Sequence, residues 1–101
     1  MSRTERYEDI IPVDRLREVD IGVIGVGAIG RQVAMMLAAM GAETIHLYDH
    51  DIVDEANLGP QGYAPNDIDT EKVLVTRFDM LNLNPDKWFQ AVPEKYRPKH
   101  P

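Results

Sequence analysis

The sequence predicts an α/β protein with a Rossmann-like, three-layer parallel sheet, of which this chain provides one βαβαβ half with strand order 3-2-1. Short apolar segments alternate with longer segments in which apolar residues recur at helical spacing. A glycine-rich turn follows the first apolar segment, and an acidic residue ends the second one about 20 residues later. A complete doubly wound fold needs a second half to cover the first strand. We therefore expect the C-terminal half of the fold to be missing from this chain.

The composition limits the classes of protein to which the chain can belong. It has 101 residues, of which 44% are hydrophobic, and a formal net charge of −6, so we expect one globular domain and no nucleic-acid partner. The absence of Cys from the sequence excludes disulfides, thiolate metal sites and a cysteine nucleophile. No apolar segment reaches the roughly 18 residues of a membrane span, and the N-terminus lacks a signal-peptide core. We therefore expect a cytoplasmic protein with no membrane partner.

The first half of the predicted fold is a strand, a helix and a second strand. Residues 21–24 are a short apolar run typical of a strand that is buried on both faces. The helix that follows ends near Gly41, and residues 44–48 form the second strand. The apolar residues at helical spacing, which predict the buried stripe of the helix, are Ile29, Val33, Met36, Leu37 and Met40.

The second half of the predicted fold begins with a loop over residues 52–69, whose Gly, Pro, Asn and Asp content indicates a functional loop. A helix from about residue 70 to 83 and a strand over 88–92 follow. The predicted apolar stripe of this helix is Val73, Leu74, Phe78 and Leu81. The expected organisation is an N-terminal segment over 1–19 with a short helix after Pro12, a partial nucleotide-binding domain over 20–92, and a Pro-rich tail over 93–101.

The glycine-rich turn has the spacing of a phosphate-binding turn. Gly25 is expected to allow the tight turn, Gly27 to let a phosphate approach the backbone, and Gly30 to let helix and strand pack closely. Free amides and the helix dipole favour an anion at this position, and Asp49 at the end of the second strand would accept hydrogen bonds from ribose hydroxyls. This pattern alone also fits NAD, so a fragment of an NAD-dependent oxidoreductase is one alternative. A tight strand–helix turn without a ligand is another.

The residues that follow resemble the ThiF/MoeB superfamily, which includes the activating enzymes for ubiquitin and ubiquitin-like proteins. The matching residues are Asp49-His50-Asp51-Ile52-Val53, Asn57-Leu58 with Gln61, Lys72, and Asn82-Leu83-Asn84-Pro85, with Arg6-Tyr7 near the start. The resemblance implies that ATP with Mg²⁺, rather than NAD, binds at the glycine turn. It implies transfer of AMP to the C-terminal carboxylate of a ubiquitin-like or sulfur-carrier protein. A homodimer or a complementary chain is the further partner implied.

The resemblance also implies roles for single residues. Lys72 would contact phosphate and Asn57 would position the triphosphate, which makes these two the candidate catalytic residues. The candidate cofactor-binding residues are Gly25, Val26, Gly27, Ala28, Ile29, Gly30, Asp49, Asp51 and Gln61. No residue is a predicted metal ligand. The alternatives are a solvated ion pair for Lys72 and turn capping for Asn57 and Asp51.

Departures from the family pattern leave open whether the chain is an enzyme. Pro60 stands where the family has an arginine, and Asp9 falls near the position of a second arginine. The family's metal-binding aspartate follows a fourth strand, which is not found here. A catalytically inert module that binds a nucleotide or a partner protein is therefore the remaining alternative.

Overall fold

The computed structural model describes residues 16–59 and 61–97, which form a three-stranded sheet and two helices. The elements are β1 (Asp20–Ile24), α1 (Ala28–Ala39), β2 (Thr44–Tyr48), α2 (Lys72–Leu83) and β3 (Trp88–Val92). Two 3-10 turns, Glu55–Asn57 and Pro65–Asp67, lie in the loop between β2 and α2. The five main elements confirm the predicted order. Most of the helix predicted after Pro12, together with Arg6, Asp9 and Pro60, lies outside the described residues.

The sheet is parallel throughout and has the order β1-β2-β3, which is 3-2-1 when it is counted from the other edge. Its register places Ile21 beside Ile45 and Ile45 beside Phe89. The predicted α/β class and parallel sheet are therefore confirmed. The carboxyl ends of β1 and β2 meet at one edge of the sheet, where the glycine turn and Asp49 follow.

Both helices pack on the same face of the sheet. The core combines strand residues with residues of α1 and α2. Its buried members are Val23, Val26, Ala34, Ala38, Ala42, Ile45, Leu47, Val73, Met80 and Phe89. The sheet grows in one direction from β1 to β3, and crossovers of the same hand place their helices on the same side. The described residues therefore form two layers and do not supply the third layer that the sequence predicted.

The buried face of α1 differs from the predicted apolar stripe. Ile29 is 79% exposed and Met36 is 55% exposed, whereas Arg31, Ala34 and Ala38 are buried. The predicted burial of Ile29, Val33 and Met36 is therefore wrong, whereas Leu37 of the predicted stripe packs partly buried against the core. The two small alanine side chains let α1 approach α2 closely enough for Asn84 Nδ2 to donate a hydrogen bond to the Ala38 carbonyl at 3.1 Å.

The buried face of α2 also differs from the predicted apolar stripe. Val73, Thr76 and Met80 are buried, but Leu74 and Phe78 are exposed. Thr76 lies on this face because its hydroxyl has hydrogen-bond partners there, which removes the cost of burying it. Hydrophobic spacing could not predict a buried polar residue of this kind.

The opposite face of the sheet is largely open in the described residues. Trp88 of β3 is 70% exposed and Ile24 of β1 is 63% exposed, while Tyr48 is covered by the ring of Tyr96 at a centroid distance of 5.1 Å. β1 has β2 as its neighbour on one side and no described strand on the other. Within the described part of the chain, no helix has the length and apolar character to cross a membrane.

Candidate functional site

The glycine turn connects β1 to α1 with the geometry that its spacing predicts. Gly25 has φ of +86°, which favours glycine, and its amide donates to the Tyr48 carbonyl at 2.7 Å. A Cβ atom on Gly30 would overlap the Gly25 carbonyl oxygen, so this glycine permits the close packing of helix and turn. Gly25 therefore allows the tight turn and Gly30 allows the close packing, as the spacing predicts.

The N-terminus of α1 has free hydrogen-bond donors. Gly27 is the N-cap residue, and no side chain caps the helix. The first amide to bond back into the turn is that of Arg31, which donates to the Gly27 carbonyl at 2.9 Å. Among the described residues, the amides of Gly27, Ala28, Ile29 and Gly30 donate to no backbone carbonyl. They are donors that an anionic group could use.

Asp49 joins the end of β2 to this turn. Its Oδ2 accepts a hydrogen bond from the Val26 amide at 2.8 Å, and its Oδ1 accepts one from the Asp51 amide at 2.9 Å. Each carboxylate oxygen has a second lone pair, so Asp49 can still accept hydrogen bonds from a ligand. The amide of Val26, in contrast, already has its acceptor. The sequence prediction that Asp49 lies beside the glycine turn is confirmed by this contact, and its bond to ribose stays a prediction.

A second group of site residues lies on the Gly27 side of the turn. Lys72 is only 6% exposed, and its Nζ donates to Gln61 Oε1 at 3.3 Å and lies 3.7 Å from Asp51 Oδ2. Gln61 Oε1 would be 3.7 Å from a Cβ atom placed on Gly27. The structure therefore brings together Gln61, Lys72 and Asp51, which the sequence separates by up to 21 positions.

The surroundings of Lys72 differ from those of a solvated ion pair, which is the alternative to a phosphate ligand. A solvated lysine would extend into water, but the Nζ of Lys72 is buried against a glutamine oxygen and a distant carboxylate. A buried ammonium with one long ion pair has capacity for a further anionic partner. The position of Lys72 is therefore compatible with a phosphate ligand.

Asn57 occupies a different place from the other candidate residues. It is buried in the first 3-10 turn, where its Oδ1 accepts a hydrogen bond from the Asp54 amide at 2.9 Å. Asp54 in turn accepts from the Ala56 amide, which completes a capping box. Within the described part of the chain, no hydrogen bond joins Asn57 to Lys72 or to the glycine turn. Its contacts are those of the turn-capping alternative, and its role with phosphate stays a prediction.

The acidic cluster beside the turn does not fit a direct magnesium site. Ligand atoms of Asp49, His50 and Asp51 lie within 4.8 Å of one another. Both oxygens of Asp49 already accept backbone amides, and Asp51 Oδ2 faces the ammonium of Lys72. Mg²⁺ prefers oxygen ligands in octahedral geometry, and a histidine replaces one of the oxygens here. We therefore assign no step of the chemistry to a metal held by these residues.

A cleft of about 260 Å³ opens at the same edge of the sheet. It lies between Gly25, the Asp49–Asp51 segment, and Lys95 and Tyr96 of the C-terminal tail. In open α/β sheets, ligands bind outside the carboxyl ends of the strands. The cleft is thus in the position where a nucleotide is expected.

Sequence reasoning missed a set of polar residues beneath the glycine turn. Tyr63 donates to the Val26 carbonyl, and its hydroxyl also contacts Thr76. Arg31 bonds Thr76 and pairs with Asp79. The available signal was Arg31 itself, a charged residue at helical spacing with Ala34 and Ala38. Nothing in the periodicity of the loop distinguishes Tyr63.

The chain matches the model of the ThiF family over residues 6–100. It is 38% identical over 73 residues to ubiquitin-like modifier-activating enzyme 5 of Caenorhabditis elegans, a match that covers 72% of this chain and 17% of that protein. The Xenopus laevis protein of the same name is 31% identical over 91 residues, covering 90% of this chain and 21% of that protein. The chain thus spans about a fifth of the length of these curated relatives.

Solved structures show the same likeness. The crystal structure of Escherichia coli MccB with ATP matches with a TM-score of 0.77 and 26% identity, over 83% of this chain and 26% of that one. The crystal structure of PaaA matches with a TM-score of 0.79 and 25% identity, over 94% of this chain and 30% of that one. Because the family model matches nearly the whole chain, this chain belongs to the ThiF family.

Proposed function

We propose that this chain is the nucleotide-binding half of an ATP-dependent adenylyltransferase domain. The observation that carries the proposal is the convergence of Asp49, the first amides of α1, and the Lys72–Gln61 pair on one edge of the sheet. Membership of the ThiF family and the likeness to MccB, which was crystallised with ATP, support it.

Each group has one chemical task in this proposal. Asp49 accepts hydrogen bonds from the ribose hydroxyls through lone pairs that the Val26 and Asp51 amides leave free. The amides of Gly27, Ala28 and Ile29 bind phosphate oxygens, and Lys72 places a positive charge beside them. Gln61 holds the Lys72 ammonium on the side of Gly27. Phosphate oxygens would replace Asp51, at 3.7 Å, as the anionic partner of Lys72.

The proposed reaction transfers AMP to a carboxylate. A carboxylate oxygen of the substrate attacks the α-phosphorus of ATP, a new phosphorus–oxygen bond forms, and the bond between the α- and β-phosphates breaks to release pyrophosphate. Lys72 and the helix amides stabilise the charge that moves toward the leaving group. Asp51 and Asn57 shape the loop around this site.

The proposed substrate is the C-terminal carboxylate of a ubiquitin-like or sulfur-carrier protein. Relatives at 31–38% identity carry the name ubiquitin-like modifier-activating enzyme 5. A homodimer or a complementary chain would cover the open face of the sheet and complete the domain. The magnesium expected with ATP would be held by residues other than Asp49, His50 and Asp51.

One observation favours a second candidate, a module that binds nucleotide without turnover. Arg31 lies against Gly62 in the loop between β2 and α2, but its guanidinium is paired with Asp79 and bonded to Thr76. It is therefore not free to replace the arginine that the family pattern has at position 60. Without a replacement for that arginine, Lys72 and the helix amides would bind phosphate but stabilise the transition state less.

The first test measures ATP binding by calorimetry with a matched pair of variants. Lys72→Met removes the ammonium and keeps the side-chain length, and we expect ATP affinity to fall about tenfold, with a smaller loss for AMP, because charge-assisted bonds to phosphate are lost. Lys87→Met removes a lysine that pairs with Glu43 at the opposite end of the sheet, and its ATP affinity should equal that of the parent chain. Equal affinities for ATP in all three proteins would contradict the proposed phosphate site.

Tighter binding of NAD than of ATP would support the oxidoreductase alternative.

The second measurement separates the enzyme from the inert module. Exchange of labelled pyrophosphate into ATP, with candidate carrier proteins present, reports the reversible transfer of AMP. Exchange that depends on Lys72 supports the adenylyltransferase. ATP binding without exchange supports the module.

A further inference from the structure

Both peptide groups of Val26 are held by side chains from outside the glycine turn. Its amide donates to Asp49 Oδ2 at 2.8 Å, and its carbonyl accepts from the Tyr63 hydroxyl at 2.6 Å. Val26 is fully buried and Tyr63 is 4% exposed, so water does not replace either partner readily. The carbonyl of Val26 belongs to the same peptide plane as the amide of Gly27.

The direction of that plane decides where the Gly27 amide points. No described peptide bond is cis, and in a trans peptide the carbonyl and the amide point in opposite directions. Tyr63 holds the Val26 carbonyl toward the loop, so the Gly27 amide points away from Tyr63. Gly27 is the N-cap of α1, the position from which a helix presents its first donors to an anion.

The hydroxyl of Tyr63 is itself held by a directed chain of hydrogen bonds. A phenol has one proton, and Tyr63 donates it to Val26. Thr76, whose Oγ1 lies 3.2 Å from the phenol oxygen, must therefore donate to Tyr63. Thr76 in turn accepts from Arg31 Nη1 at 3.2 Å, and Arg31 Nη2 bonds Asp79. Each of the two hydroxyl groups has one proton, and the guanidinium can only donate, so the direction of these bonds is fixed.

Packing holds the ring of Tyr63 as well as its hydroxyl. The Arg31 guanidinium carbon lies 4.7 Å from the ring centroid, a cation–π contact. Gly62, with φ of +84°, leaves room for Arg31, because a Cβ atom there would be 3.1 Å from its Nε. Burial also raises the pKa of the Tyr63 phenol, which keeps the hydroxyl a donor.

We propose that Tyr63 is a positioning residue that fixes the direction of the Gly27 amide for binding a phosphate, and that Arg31 and Thr76 hold Tyr63 in place. The phosphate part of this statement rests on the proposed function. Tyr63 does not touch the ligand. It acts through one peptide group of the turn.

The test compares Tyr63→Phe with a control variant in the same loop. The substitution keeps the ring and removes only the hydroxyl, and ATP affinity measured by calorimetry should fall about three- to tenfold, the effect of one hydrogen bond. Thr76→Val keeps the phenol but removes the bond donated to it, and its affinity should fall less. Asp54→Ala removes the cap of the first 3-10 turn, and its ATP affinity should stay within about twofold of the parent value.

A nucleotide-free measurement tests the geometry independently. In ¹⁵N-edited NMR spectra of the 101-residue chain, the Gly27 amide resonance should shift or broaden in Tyr63→Phe and stay in place in Asp54→Ala. An unchanged Gly27 resonance in Tyr63→Phe overturns the proposal, as does a loss of ATP affinity in Asp54→Ala equal to that in Tyr63→Phe. If the parent chain does not bind ATP, the proposed function fails, and the Gly27 resonance still decides the role of Tyr63.

Discussion

At the scale of single residues, the side chains around the glycine turn act mainly on backbone groups. Asp49 accepts two amides, Tyr63 donates to a carbonyl, and Asn57 accepts an amide. Each of these bonds fixes a peptide plane, and the planes determine where free amides point. The chemistry of the site therefore depends on residues that need not touch a ligand.

Tyr63 also predicts how stability depends on pH. Its pKa is raised above 10.0 by burial, so the folded chain holds this proton more tightly than the unfolded chain does. The associated stabilisation is fully present below the unfolded pKa and is lost as pH rises through the folded pKa. We expect the free energy of unfolding to decrease above about pH 10. Urea denaturation from about pH 8 to about pH 11 should show a smaller decrease in Tyr63→Phe, and equal decreases would contradict this assignment.

At the scale of elements, α1 packs through its small residues and leaves its large apolar residues outside. Ala34 and Ala38 are fully buried against the sheet and α2, while Ile29 and Met36 are exposed. Close approach at the alanines brings Arg31 over Tyr63 and beside Thr76. The packing of α1 and the hydrogen bonds below the glycine turn are thus parts of one arrangement.

Two substitutions on opposite faces of α1 test this arrangement. Ala38→Leu should lower the free energy of unfolding by about 1–3 kcal/mol, because the buried position has no space for three more carbons. Ile29→Gln, at a position that is 79% exposed, should change it by less than about 0.5 kcal/mol. Urea denaturation measures both values. A larger loss in Ile29→Gln than in Ala38→Leu would show that the apolar stripe is the buried face in solution.

At the scale of the molecule, one face of the sheet and one edge of β1 have no partner in the described residues. Ile24 and Trp88 are exposed on that face, and β1 pairs on one side with β2. An unpaired edge with exposed apolar residues favours association with another chain. This agrees with the expectation of a homodimer or a complementary chain.

Sedimentation of the chain over a range of concentrations tests that expectation. We expect self-association that Ile24→Lys weakens, because a charge on the open face is costly to bury in an interface. Ile29→Lys places the same charge on the exposed stripe of α1 and should leave association unchanged. The reverse result would identify the helix stripe as the interface, and a monomer at all concentrations would contradict self-association.

The order and type of the elements could be predicted because they depend on local patterns. The glycine spacing places the turn between β1 and α1, and the run at residues 44–48 ends one residue before Asp49. Parallel strands with short turns then bring Asp49 to the glycine turn. The family pattern in the sequence also predicts Lys72 and Gln61 as site residues, and the structure joins their side chains by a hydrogen bond.

The sequence alone determined the α/β class, the glycine turn and the acidic residue beside it, since these follow from short-range spacing and backbone conformation. Only the tertiary structure decided which face of α1 is buried, that Asn57 caps a turn, and that Arg31, Thr76 and Tyr63 form one chain of hydrogen bonds. These features depend on contacts between residues up to 48 positions apart. Burying polar groups is favourable only when the fold supplies their hydrogen-bond partners. The spacing of residues along the chain does not indicate which residues those partners are.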